Sequence, residues 1–505
     1  MDQWTFSSAP NSTDPTNASL SGACCLALLS LLGSKVSFPG AQVYNSSLSS
    51  YFSQQESQLQ PLCVFSPVTV EDVSVAVSAL SSAAAAIDAS KKSSCQFAIR
   101  SGGHAPFAGA ANIANGVTID LRGLNTVEVS SDRSIASVGV GATWGDVYSK
   151  LDPLGLSVAG GRAAQVGVGG LTTGGGISYF STRYGWTCDS VSNFEVVLAN
   201  GTIVNANTEQ NLDLLSALRG GSNNFGVVTR VDLQAFEQGP IWGGTVFYPL
   251  STVDQHLKAF VDLNSVDAYD EYASLITSFG FAAGQGSAVV NSIEYTKAVE
   301  NPPVFQPLME IPSLYSTMRI ANMADISTEQ GSFQPNGKRD LSVVTTHGST
   351  LPILNATYQL WNASLAAIQD IPGISWAISL EPLPPAIYAR AAAAGDSNAF
   401  GSLSEVKGSL VVNLLSAGWT DEADDTKVEK AARELFTGIE DEARKLGVYE
   451  PFVYLNYAAP WQDPIASYGS KSVGKLKEVS KRVDPKGVFR FNVPGGFKIP
   501  VSKGE

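Results

Sequence analysis

Phe97-Ala98-Ile99-Arg100-Ser101-Gly102-Gly103-His104 is the stretch on which the reading of this chain turns. A short apolar run feeds two adjacent glycines, and a histidine closes the turn. Paired glycines let backbone run close against a ligand, because neither carries a Cβ and both tolerate positive φ. Consecutive amides in such a turn form a concavity that suits a pyrophosphate. The chain holds only three histidines, His104, His256 and His347. An isolated loop histidine more often just hydrogen-bonds backbone, so the context of His104 has to carry the argument.

That context continues downstream. Gly160-Gly161 precedes Val166-Gly167-Val168-Gly169-Gly170 and Gly174-Gly175-Gly176. Arg183-Tyr184-Gly185, Asp189-Ser190-Val191 and Leu198-Ala199-Asn200-Gly201 follow. Next comes Leu218-Arg219-Gly220-Gly221-Ser222-Asn223-Asn224-Phe225-Gly226-Val227-Val228-Thr229. Far along the chain stand Tyr454-Leu455-Asn456-Tyr457 and Val483-Asp484-Pro485 with Phe489-Arg490. One short glycine motif is weak; several in a fixed order are strong. No metal-ligand cluster, no G-x-S-x-G elbow and no strand-G-x-G-x-x-G-helix unit for a nicotinamide accompanies them.

Over residues 60–235 and 450–498 these motifs resemble the berberine-bridge-enzyme-like branch of the vanillyl-alcohol-oxidase flavoprotein family, fungal members above all. The resemblance implies an α+β fold of two lobes. One is a PCMH-type FAD-binding lobe; the other is a substrate lobe whose antiparallel sheet, covered by helices, roofs the flavin. It implies FAD joined covalently to His104. Around the cofactor it places Arg100, Ser101, Gly102, Gly103, Gly109, Gly167, Gly169, Gly170, Thr173, Gly174, Gly175, Val228 and Asn456. Asn223, Asn224 and Phe225 are expected to shape a strand turn rather than touch substrate. Many relatives add a second link from a cysteine in G-x-C-x-x-V-G-x-x-G. Here Ala163 stands at the cysteine's place in Gly161-Arg162-Ala163-Ala164-Gln165-Val166-Gly167, so a single link is expected. A tethered imidazole withdraws electron density from the flavin ring and favours hydride abstraction from a poorly activated alcohol or C–H.

The same resemblance puts a tyrosine of the Tyr454–Tyr457 motif beside the flavin as base or polarising group. Their alternation predicts a strand, with Tyr454 and Asn456 on one side and Tyr457 on the other. A pKa near 10 makes tyrosine a poor base unaided. Relatives often carry an acid just after the motif, where this chain has Ala458-Ala459. Glu381 is the candidate substitute, with Glu294 and Tyr295 behind it; a solvated strand end before Pro382 is the competing reading of Glu381. The activity implied is hydride transfer from a small organic substrate (alcohol, sugar or specialised metabolite) to FAD, with dioxygen as acceptor giving hydrogen peroxide. Alternatives are an isomerase or cyclase without net redox, and a flavin-binding protein without turnover.

At 505 residues with a formal charge of −14, two lobes are the default and nucleic acid or an anionic membrane a poor partner. A monomer is expected. Four parts are predicted: an arm and helix over 1–55, the FAD-binding domain over 56–235, the substrate domain over 236–447, and a segment 448–505 returning to the first lobe. In the first lobe a helix is expected over 21–33, and another from Val73 to Ile87 capped by Thr69. Strands are expected at 117–121, 126–130, 135–139, 194–198 and 226–233. In the second lobe Thr245 to Tyr248, Ser287 to Tyr295, Ile374 to Leu380 and Ser409 to Leu415 read as strands, and Thr420 to Leu446 as a helix ended by Gly447. Alternation in Ser375-Trp376-Ala377-Ile378-Ser379-Leu380-Glu381 gives one face to a helical layer and one to a polar cavity.

Four of the five cysteines (Cys24, Cys25, Cys63, Cys95, Cys188) fall in the first hundred residues. A bridge from Cys24 or Cys25 to Cys63 is expected, with Cys188 free. Sequons at Asn11, Asn17, Asn45, Asn200, Asn355 and Asn362 and the clustered cysteines point to secretion. No signal-peptide pattern opens the sequence, so the expectation is a secreted protein whose signal is not part of this chain.

Overall fold

The computed structural model describes residues 15–85, 95–265, 269–393 and 398–500. The first fourteen residues, with the sequon Asn11, and Ile87 at the end of a predicted helix lie outside them. Nineteen strands form three sheets among the described residues. The first holds β1 (Val36–Ser37), β2 (Cys63–Phe65), β3 (Phe97–Arg100) and β4 (Val117–Asp120), in the order β1-β2-β4-β3. Here β2, β4 and β3 run parallel. Antiparallel pairs build the second from β5 (Val127–Val129), β6 (Ile135–Gly139), β7 (Leu156–Val158), β8 (Val191–Val197), β9 (Ile203–Asn207) and β10 (Val227–Glu237).

The third sheet is also antiparallel and follows in the chain. Its strands are β11 (Ile241–Tyr248), β12 (Ala273–Ala282), β13 (Gly286–Tyr295), β14 (Tyr315–Ser316), β15 (Arg319–Ala321), β16 (Arg339–Gly348), β17 (Ser375–Leu383), β18 (Leu410–Trp419) and β19 (Tyr449–Glu450). They lie in the order β14-β11-β13-β12-β17-β18-β16-β19, with β15 beside β11. Trp376, Ile378 and Leu380 of β17 are buried in one apolar cluster with residues of the helices Val253–Leu263, Leu351–Ile368 and Asp425–Lys445. Ser375, Ala377, Ser379 and Glu381 face the opposite side and line a cavity. Period two along one strand thus separates the helical layer from a polar roof.

Two long strands, β12 and β16, escape sequence inspection. Their cavity faces carry Ser278, Gly280, Asp340 and Ser342, and such residues blur the apolar alternation that marks a strand. The predicted helix from Thr420 starts late: a 3-10 turn over Glu422–Asp424 precedes the helix Asp425–Lys445. Thr69 does cap the helix Val70–Ala85, accepting from the Asp72 amide at 3.2 Å.

Cys25 is bonded to Cys63, as expected, and Cys24 is bonded to Cys95 in addition. The helix Pro15–Leu32 is therefore tied to β2 and to the residues that lead into β3. Cys188 is a free, buried thiol, its pKa raised by burial. Asn45, Asn200, Asn355 and Asn362 are exposed. No described helix is long and apolar enough to cross a membrane.

A short strap over residues 52–55 laces the first lobe to the third sheet. The Phe52 amide donates to Gly103 O at 3.0 Å, and the Ser53 hydroxyl to Ala105 O at 2.9 Å. On the other side the Gly337 amide donates to Phe52 O at 2.8 Å and the Gln54 amide to Lys338 O at 2.7 Å.

Candidate active site

Between the roof sheet and the first lobe lies a cavity of about 650 Å³. Its floor is the glycine loops. At Gly102 a Cβ would lie 2.6 Å from Gly167 Cα, so the two loops can touch only because both positions lack side chains. Gly103 takes φ +73° and turns the chain toward His104. The Ser101 hydroxyl holds the loops together, donating to Val140 O at 2.6 Å and accepting from the Gly169 amide at 3.0 Å.

His104 lines this cavity and stacks on Phe52, with ring centroids 4.0 Å apart and planes 13° apart. Its Nε2 is buried and has no hydrogen-bond partner among the described residues. Burial pushes its pKa down to about 4, so the imidazole is neutral. A neutral, orphaned ring nitrogen in a glycine-lined cavity fits a flavin placed against it. The amides of Gly102, Gly103 and His104 likewise meet no acceptor among the described residues, as an anion cradle requires.

Gly167, Gly169, Gly170, Thr173, Val228 and Asn456 also line the cavity. Other expected cofactor residues sit elsewhere. Arg100 is buried beneath the loop, its guanidinium 3.7 Å from the Tyr51 ring centre, bonded to Ser47 and Ser50 and 3.8 Å from Asp120. It anchors the loop rather than reaching the cavity. Gly109 donates its amide to Glu56, while Gly174 packs on Asn456 and Gly175 on Phe400. Asn223 departs from its expected role only in part: it holds Gly495 O and Lys498 of the C-terminal segment, and it also lines the cavity.

The Tyr454–Tyr457 motif is not a strand. Leu455–Tyr457 form a 3-10 turn, closed by the Tyr457 amide on Tyr454 O at 3.1 Å. Tyr454 accepts from the Gly176 amide and from Asn456 Nδ2, each at 3.0 Å, and Asn456 also donates to Leu171 O. Tyr457 points differently, its ring edge-on to Tyr454 at 4.8 Å.

Tyr457 belongs to a three-residue cluster. Arg162 Nη2 lies 2.7 Å from Glu381 Oε2 and 2.5 Å from Tyr457 Oη. The Tyr457 hydroxyl donates to Glu381 Oε1 at 3.1 Å. All three line the cavity, and the Arg162 and Glu381 side chains are 10% and 4% exposed. Glu381 is therefore no solvated strand end. Burial alone would lower the Arg162 pKa, but Glu381 and Tyr457 outweigh it and raise it. Burial raises Tyr457 well above its ordinary value, against the pull of Arg162. Sequence inspection missed Arg162, although it adjoins Ala163; a lone arginine in a glycine-rich loop carries no periodic signal.

Glu294 is also buried near Arg162, whereas Tyr295 turns away and donates to Asp270 at 3.2 Å. Tyr295 is thereby removed from the candidate bases. The roof rows fix where the remaining groups sit. Leu380 pairs with Thr277, and Thr277 with Asn291. Glu381 and Ser292, the next residues, thus lie in one row two strands apart, about 10 Å.

The FAD binding domain family matches residues 61–207. The chain is 37% identical to the FAD-dependent monooxygenase CTB5 of Cercospora beticola over 95% of its own length and 92% of that protein. It is 43% identical to a Diaporthe leptostromiformis protein named Oligopeptidase PhomG', matching over 92% of this chain but only 36% of that one. Among solved structures, glucooligosaccharide oxidase from Acremonium strictum superimposes with a TM-score of 0.73 at 19% identity, over 95% of this chain and 98% of that one. That protein is described as carrying a 6-S-cysteinyl, 8α-N1-histidyl FAD. By sequence the chain belongs to the family of fungal FAD-dependent oxidoreductases that includes CTB5, and its fold is that of the berberine-bridge-enzyme-like, vanillyl-alcohol-oxidase-type flavoproteins.

Proposed function

We propose that this enzyme is an oxidase that removes hydride from a carbinol or activated C–H of a small organic substrate, uses dioxygen as acceptor and releases hydrogen peroxide. FAD would be held by one covalent bond, through His104. The observation that carries this reading is the Arg162–Glu381–Tyr457 cluster in the same cavity as the orphaned His104 nitrogen.

When bound, FAD supplies a two-electron hydride acceptor. The chain supplies the proton path. Tyr457 Oη receives one hydrogen bond from Arg162 and gives its own proton to Glu381, which leaves a lone pair for a substrate hydroxyl. As that hydroxyl passes its proton to Tyr457, Tyr457 passes its own to Glu381. The phenol is regenerated, so its raised pKa is no obstacle. Arg162 stabilises whatever negative charge develops on the phenol oxygen. Ala163 stands where the doubly linked relatives carry cysteine, which supports the single link. Exposed sequons and two disulfides support passage through a secretory compartment.

A screen of alcohols, sugars and phenolic compounds, read by flavin bleaching and peroxide release, tests the oxidase. Labelled oxygen from ¹⁸O₂ appearing in product, with no peroxide, would favour the monooxygenase activity that CTB5's name states. Anaerobic turnover without bleaching would indicate an isomerase or cyclase.

A further inference from the structure

Glu294 plays no part in the hydride step, yet it is 1% exposed and lies on the cavity side of β13. Ser292, two residues away on the same face, lines the cavity, as does Gln330 of the helix Met323–Ser332. Ser292 Oγ sits 2.6 Å from Glu294 Oε1 and 3.0 Å from Gln330 Oε1. One hydroxyl proton cannot serve two acceptor oxygens. Both contacts close when Glu294 is un-ionised and donates to Ser292 while Ser292 donates to Gln330.

Ser292, Arg162 and Tyr179 pull the Glu294 carboxyl toward ionisation, but burial, helped by Glu329, outweighs them. The Arg162 guanidinium is committed to Glu381 and Tyr457. Tyr179 offers a hydroxyl but no charge. Glu329, already paired with Arg319, adds a second negative group. Glu294 Oε2 has no partner among the described residues, and an unpaired buried carboxylate is costly. Burial pushes its pKa up to about 8.

We infer that Glu294, acting through Ser292, is the proton donor for the oxygen-consuming half of the reaction. This rests on the oxidase reading. Dioxygen leaves as hydrogen peroxide only after taking two electrons and two protons. Both electrons and one proton come with the reduced flavin. The second proton moves from Ser292 to the departing peroxide while Glu294 reprotonates Ser292; the glutamate then recovers a proton from water. Proton removal at Tyr457–Glu381 and proton supply at Ser292 are thus kept about 10 Å apart on the roof, so neither depends on resetting the other.

The test needs no substrate. The purified holoenzyme is reduced with dithionite under nitrogen, mixed with oxygenated buffer, and followed by flavin absorbance from pH 6 to pH 10. Wild type should reoxidise at a constant rate up to about pH 8 and more slowly above it. In Glu294→Gln and Ser292→Ala the rate at neutral pH should fall about 10²-fold, the low end for losing a general acid, and the alkaline break should vanish. The infrared difference between wild type and Glu294→Gln at neutral pH should show the loss of one un-ionised carboxyl C=O component, over the background that Asp340 and Glu56 contribute. Flavin content reports folding of each variant. Unchanged pH profiles in both variants, or a difference spectrum in which Glu294→Gln loses no un-ionised carboxyl intensity, would overturn the inference while leaving the oxidase intact. A wild-type flavin that oxygen fails to oxidise would overturn both.

Discussion

Arg162 of the flavin lobe and Glu381 of the roof sheet meet at 2.7 Å across the cavity, and Tyr457 bonds to both. The two lobes thus share one ion pair at the point where a substrate hydroxyl would sit. Breaking a buried pair by removing one partner leaves the other charge uncompensated, so these three residues should respond as a unit.

Tyr457→Phe keeps the ring and deletes the hydroxyl. Flavin reduction by substrate should slow about 10²–10⁴-fold, with oxygen reoxidation unaltered. Glu381→Gln should give a defect of similar size, whereas Tyr454→Phe, whose hydroxyl is spent on Gly176 and Asn456, should lose far less. Stopped-flow reduction rates decide this; equal rates for wild type and Tyr457→Phe would remove the phenol from the mechanism.

His104→Ala should abolish covalent attachment. Acid-precipitated wild type should stay yellow, and one flavinylated peptide containing His104 should appear in its digest. The variant should release its flavin on denaturation. Colourless precipitate from wild type would refute the link.

The two bridges close loops of 71 and 38 residues in sequence separation. Removing a native disulfide typically costs about 2–5 kcal/mol. Cys25→Ser with Cys63→Ser should therefore lower the urea midpoint, while Cys188→Ser should not. Alkylation of intact protein should find a single thiol, and only after unfolding.

Stability should peak in mildly acidic buffer. Burial lowers His256 and His347 to about 4. Their neutral forms favour the fold, so stability falls as pH drops below about 6.5. Burial raises Glu56 to about 7, and Glu294 and Asp340 to about 8. For a raised carboxyl the native state prefers the proton, so stability is lost as pH climbs from about 4.5 through those values. Lys498, lowered to about 7 by burial, offsets part of this loss above pH 7. A melting temperature measured from pH 4 to 9 should show both limbs, and Asp340→Asn should flatten the alkaline one.

The flavin lobe was legible because its signal is local: the glycines of the Arg100–His104 and Gly160–Gly176 segments stand out in the sequence before any long-range contact is known. Ala163 was readable for the same reason. The rest was legible only in part: Tyr457 and Glu381 were named from the motif and its missing acid, but Arg162 and Ser292 were not. Arg162, Ser292 and Glu381 lie far apart in sequence: the register of β12, β13 and β17 sets Ser292 and Glu381 in one row of the roof, and packing of the first lobe beneath it brings Arg162 to Glu381. The Tyr454–Tyr457 segment misled because four alternating residues fit a strand and a tight turn alike. Side-chain bonds to Gly176 and Leu171, invisible in sequence, accompany the turn.

The strap through Phe52, Ser53 and Gln54 is sewn to Gly103 and Ala105 on one side and to Gly337 and Lys338 on the other. Parting the lobes would tear those seams and drag Phe52 off His104. Any separation of the lobes would therefore be felt at once at the His104 ring, so the seating of the roof and the setting of that imidazole are one and the same adjustment.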